Sequence, residues 1–118
     1  MLTALTALSP LDGRYAAKLD ALREYFSEYG LIKRRVRVEI EWLKALAAAP
    51  QIIGIKPFSP ATLAELDALV AGFSVADAEA IKTIESRTNH DVKAMEYWLK
   101  ERLASNAEVM AASEFIHF

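Results

Sequence analysis

His90 is one of only two histidines in the chain, and it stands between an amide, Asn89, and a carboxylate, Asp91. Imidazole is the side chain whose charge changes near neutral pH, so this trio could orient a ligand and control a proton. A second set lies near the start of the chain, in Ser9-Pro10-Leu11-Asp12-Gly13-Arg14-Tyr15. Pro10, Asp12 and Gly13 are turn residues that would hold Arg14 and Tyr15 in a fixed direction. Arg14 offers a guanidinium fork for phosphate or carboxylate, and Tyr15 a flat ring with a hydroxyl. Taken singly, one set fits an ordinary surface turn and the other a capped corner with an incidental histidine. Together they point to anion recognition.

The elements that must position these residues are helices. Ser74-Val75-Ala76-Asp77 has the form of a capping box, and Ala78, Ile81 and Ile84 follow at helical spacing. Val92, Met95, Leu99 and Leu103 mark the apolar face of the next helix. Thr88, Asn89 and Asp91 are its expected N-caps, because their short side chains can accept the free N–H groups of a first turn. His90 therefore falls at or just before a helix N-terminus, where unpaired N–H groups favour an anion.

Earlier in the chain, Ala21, Leu22, Tyr25 and Phe26 predict a short helix that Ser27 and Gly30 can interrupt. From Leu31 to Ala49, Ile32, Val36, Ile40, Leu43 and Ala47 draw one apolar stripe. Val36 to Ile40 also alternates like a strand, but the helical template accounts for more of the segment, and its alanine-rich end favours helix. Residues 50–60 form a connecting loop. Ser59-Pro60 then gives an N-cap and a first-position proline for a helix carrying Leu63, Leu66, Val70 and Phe73. Ser113 to Phe118 opens a further apolar element. The expected fold class is all-α, a multi-helix domain over residues 1–118.

Composition narrows the function. The chain has 118 residues, 53% of them hydrophobic, enough for one core. A formal net charge of −2 argues against a general nucleic-acid or membrane binder. The absence of cysteine excludes disulfides and thiolate metal sites. With no signal-like start and no bilayer-length apolar run, the expected location is the cytoplasm. Lys33-Arg34-Arg35-Val36-Arg37 could contact nucleic acid, but on a helix these cations fan around the axis, and Arg35 with Glu39 and Arg37 with Glu41 stand at ion-pairing spacing. Trp42, Tyr97 and Trp98 fit packing or an oligomer contact better than a base-stacking platform. His90 and His117 lack the ligand spacing of a metal site, so none is expected.

Several longer phrases carry a family resemblance. The Ser9 to Tyr15 run, Phe26-Ser27-Glu28-Tyr29-Gly30-Leu31, Lys82-Thr83-Ile84-Glu85 followed by Thr88-Asn89-His90-Asp91-Val92-Lys93-Ala94, and Ser113-Glu114-Phe115-Ile116-His117-Phe118 occur in this order. They closely resemble the bacterial adenylosuccinate lyases of the fumarase/aspartase superfamily. The resemblance implies a helical homotetramer that needs no cofactor and releases fumarate from adenylosuccinate, giving AMP, and from succinylated aminoimidazole carboxamide ribotide. It implies that residues 1–118 are the N-terminal helical domain of a longer chain, ending before the central helical bundle.

By the same resemblance, Arg14 and Tyr15 match a nucleotide-binding pair, and Asn89, His90 and Asp91 match a second substrate-binding segment. His90 would orient substrate and assist the general acid. His117 matches a histidine near the phosphate. The family's general-acid histidine and its loop serine base lie beyond Phe118, so no catalytic acid or base is expected within these residues, and they are expected to be inactive alone. Two other readings fit the pattern: a scaffold or regulatory domain without the reaction, and a small nucleic-acid-binding module resting on Lys33 to Arg37.

Overall fold

The computed structural model describes residues 1–118, which form helices and turns without a strand. Two compact units divide at Leu31 and Ile32. In the first, Met1–Leu31, a 3-10 turn at Pro10–Asp12 is followed by another at Ala16–Lys18 and by helix α1, Asp20–Phe26. The opening turn is closed by a capping box: the Ser9 backbone N–H donates to Asp12 Oδ1 at 2.9 Å, and the Leu11 N–H donates to Ser9 Oγ at 3.1 Å. The short α1 interrupted after Phe26 agrees with the sequence reading, but Ser27 alone makes the break, with ψ at 166°. Gly30 lies within the next helix. It is needed there for close approach, since a Cβ would stand 2.4 Å from the Glu24 carbonyl oxygen.

The second unit, Ile32–Phe118, is built on α2, Glu28–Ala48. Its stripe of Ile32, Val36, Ile40, Leu43 and Ala47 is buried throughout, as the helical period requires. Helices α3 (Pro60–Ala71), α4 (Val75–Thr88), α5 (Asp91–Arg102) and α6 (Ala107–Ala111) follow, with a 3-10 turn at Ser113–Phe115. Ser59 and Ser74 cap α3 and α4 as expected, the second through the full box with Asp77. Helices α4 and α5 pack as an antiparallel pair: Arg102 at the end of α5 donates to Asp77 at the start of α4 at 3.1 Å, and Trp98 meets Phe73 edge to face at 5.4 Å.

The structure refines two of these readings and corrects a third, the ion pairs of α2. On α3, only Leu66 of the apolar set is fully buried within the helix, with Phe73 just beyond it; the other buried position is polar, Thr62. Thr62 is tolerated because its hydroxyl donates to Glu108 and accepts from Asn106 Nδ2 at 3.2 Å. Ser59 adds its backbone N–H at 2.9 Å and its hydroxyl at 2.6 Å to Glu108, joining the start of α3 to α6, a helix that the sequence pattern did not show. These bonds, that of the Ser59 hydroxyl first, hold the Glu108 carboxyl below the usual carboxylate range. Of Trp42, Tyr97 and Trp98, Trp98 is core, in keeping with the packing reading, while Trp42 and Tyr97 are exposed. The expected pairs Arg35–Glu39 and Arg37–Glu41 do not form: Arg35 binds Asp91, Glu39 binds His117, and Glu41 binds Lys44.

The stripe has a direct energetic test. Ile40→Ala, at 1% exposure, should cost about 2–5 kcal/mol in denaturant unfolding. Val38→Ala, at 66% exposure on the same helix, should stay within about 0.5 kcal/mol.

Candidate functional site

The corner between α4 and α5 is built from two caps. Helix α4 ends because Asn89 adopts the left-handed conformation, φ 54°, while its N–H still donates to the Glu85 carbonyl at 2.8 Å. Asparagine tolerates this geometry better than most residues, so it reverses the chain with little strain. The next residue then starts α5. His90 itself is the N-cap: its Nδ1 accepts the Lys93 backbone N–H at 3.1 Å. The sequence pattern assigned this cap to Thr88, Asn89 or Asp91, because imidazole is not among the favoured capping side chains. Thr88 instead supports the corner, its Oγ1 accepting the His90 N–H at 3.3 Å.

This bond settles the hydrogen-bonding sense of the ring. A neutral imidazole has one acceptor and one donor nitrogen. With Nδ1 accepting, Nε2 carries the hydrogen, and more than half of the side chain is exposed. His90 thus presents an N–H at the first turn of a twelve-residue helix. The Asn89 carboxamide has no partner within the chain. A shallow depression of about 430 Å³, lined by Lys82, Glu85, Ser86 and Asn89, adjoins it. A slightly larger pocket of about 480 Å³ lies elsewhere, between the loop of Ile55 to Phe58 and α6, and contains none of the residues singled out from sequence.

Asp91 is held from two sides. Arg35 on α2 donates to its Oδ2 at 2.8 Å, and the Val92 N–H donates to Oδ1 at 2.8 Å. The Arg35 hydrogen bond, followed by that of Val92, lowers the Asp91 pKa from its ordinary 3.8. The group is therefore an anchored carboxylate at neutral pH, suited to fixing the corner and unsuited to donating a proton.

His117 meets α2 one helical turn further on. Its backbone N–H donates to Glu39 Oε1 at 2.5 Å, and its ring Nδ1 lies 3.4 Å from Glu39 Oε2. The residue has φ 59°, the other non-glycine position with a left-handed backbone besides Asn89. Arg35 and Glu39 stand at ion-pairing spacing in the sequence. They are instead the α2 contacts of the two segments that hold His90 and His117. The sequence carries only their polarity and their spacing on one helix.

Arg14 and Tyr15 belong to the first unit. The Arg14 guanidinium carbon is 5.3 Å from the centroid of the Tyr15 ring, and Lys18 Nζ is 5.9 Å from it. Both contacts are of cation–π type. Arg14 has no carboxylate partner, so its fork is available to an anion. Gly13 directs the pair: a Cβ there would lie 2.7 Å from the Ala4 carbonyl oxygen. No group of three or more His, Asp or Glu side chains comes together in a metal-binding arrangement.

The chain is helical throughout, and its α4–α5 corner presents the exposed His90 ring and the Asn89 carboxamide at a helix N-terminus. Residues 13–118 match the family described as lyase, and the chain belongs to this family, within the fumarase/aspartase superfamily that its motifs resemble. It is 57% identical over 117 residues to the adenylosuccinate lyase of Escherichia coli K12, a match covering 99% of this chain and 26% of that protein. The adenylosuccinate lyase of Haemophilus influenzae is 56% identical, and that of Buchnera aphidicola from Acyrthosiphon pisum 44%, each with the same coverage. The chain therefore spans about a quarter of the length of these relatives.

The Arg35–Asp91 pair has a pH signature. Because the folded-state pKa of Asp91 is depressed, its contribution to stability is present above the ordinary carboxylate range and is lost as pH falls through the folded value. Arg35→Gln should lower the melting temperature at neutral pH, and the deficit should shrink once pH drops below about 4. A deficit unchanged from neutral to strongly acid pH would show that the pair contributes through packing alone.

Proposed function

We propose that residues 1–118 are the N-terminal helical domain of an adenylosuccinate lyase, part of a cytoplasmic homotetramer that eliminates fumarate from adenylosuccinate and from succinylated aminoimidazole carboxamide ribotide. The observation that carries this reading is the 57% identity to a named adenylosuccinate lyase across 99% of the chain. The motif residues Arg14, Tyr15, Asn89, His90, Asp91 and His117 supply groups suited to such a substrate.

The reaction breaks a C–N bond after a C–H proton is removed beside a carboxylate. It needs a base for that proton and an acid for the departing nitrogen. Its intermediate adds negative charge to a substrate that already bears a phosphate and two carboxylates. N–H-rich and cationic groups must hold those anions while the proton-transfer groups are kept aligned.

In this reading the His90 Nε2–H donates to a substrate oxygen and the Asn89 amide adds a second contact. Asp91, paired with Arg35, keeps the corner in register. Arg14 and Tyr15 bind the nucleotide portion, and His117 contacts the substrate near its phosphate. The acid and base come from outside residues 1–118. Ser86 is a poor replacement for the base, because its hydroxyl already donates to the Thr83 carbonyl at 2.6 Å.

The test is His90→Gln in a polypeptide of the relatives' full length. Turnover of adenylosuccinate should fall about 100-fold through lost orientation. The loss of stability should not exceed that of an N-cap, about 1 kcal/mol. A fall in activity no larger than the loss of folded protein at the assay temperature would make His90 a cap only.

A further inference from the structure

The two histidines of the chain are each held through Nδ1, but in opposite senses. At His90, Nδ1 accepts a backbone N–H. At His117, Nδ1 faces a carboxylate oxygen of Glu39, and an ionised carboxylate can only accept. The His117 Nδ1 must therefore carry the hydrogen, which leaves Nε2 of the neutral ring with its lone pair. Glu39 is well placed to impose this state. Its side chain is only 12% exposed, and its other oxygen takes the His117 backbone N–H, so one carboxylate grips both the main chain and the ring of a residue in the left-handed region.

We propose that Glu39 is a positioning residue that fixes the neutral form of the His117 imidazole as a hydrogen-bond acceptor at Nε2, the polarity opposite to that of His90. His90 then takes an anionic oxygen, whereas neutral His117 takes a group that brings its own hydrogen, such as a hydroxyl or a monoprotonated phosphoryl oxygen. The assignment of the tautomer stands on the contacts alone. Its use in substrate binding rests on the lyase reading above.

Long-range proton–nitrogen NMR of the ring nitrogens tests the assignment in the 118-residue chain at about pH 9, above the ordinary imidazole range. His90 should show hydrogen on Nε2 and His117 on Nδ1. Glu39→Ala should move His117 to the Nε2–H form favoured by a solvated imidazole, with His90 unchanged as the internal control. Hydrogen on His117 Nε2 in the unaltered chain would overturn the proposal even if Glu39→Ala failed to fold, as would a His117 signal that ignores a folded Glu39→Ala. In the full-length enzyme, Glu39→Ala should raise KM for adenylosuccinate about tenfold with little change in kcat. An unchanged KM alongside the stated tautomers would contradict the substrate-contact reading of His117 and leave the Glu39 assignment standing.

Discussion

The register of α2 is the constraint on which the second unit depends. Its apolar stripe is buried from Ile32 to Ala47, and that burial fixes the rotation of the helix about its axis. Once it is fixed, the polar residues flanking the stripe have set directions. Arg35 reaches Asp91, Glu39 reaches His117, and Lys44 reaches Asp67 at 2.6 Å. The Asp67 hydrogen bond, against the opposing effect of desolvation, raises the pKa of Lys44. A one-residue slip turns a helix by about 100°, which would bury a cation and carry these contacts away from their partners. Packing and placement of the His90 and His117 segments are therefore one requirement.

Local pattern was legible in the sequence, and distant pairing was not. Ser59-Pro60 and Ser74 with Asp77 announce their helices because a cap is completed within one turn. The α2 stripe is read equally well from spacing. The partners of Arg35 and Glu39 lie 56 and 78 residues away, so sequence spacing offered only the nearer and wrong choice of each other. Glu108 is the same case: its role appears only when Ser59 and Thr62 converge on it from another helix. The short α6 has no sequence signature, because five residues carry too little periodicity.

At the candidate site, the residue types were visible before their roles. Asn89, His90 and Asp91 could be named as a corner with an anion-binding bias. Which of them caps α5 could not, since an imidazole in that role runs against the ordinary preference for short oxygen-bearing side chains. The structural answer has a chemical consequence that no motif contains: capping through Nδ1 commits Nε2 to be the donor. Asp91, held by Arg35 and the Val92 N–H, is an anchored anion.

In the proposed function, this module orients substrate while proton transfer is supplied elsewhere. The most direct measurement gives adenylosuccinate to the 118-residue chain and, separately, to a polypeptide that continues it to the length of its relatives, and follows fumarate and AMP. The longer polypeptide should form both products in equal amounts, and the 118-residue chain neither above the uncatalysed rate. Rapid fumarate release by the chain alone, or none from the folded longer polypeptide, would contradict the account.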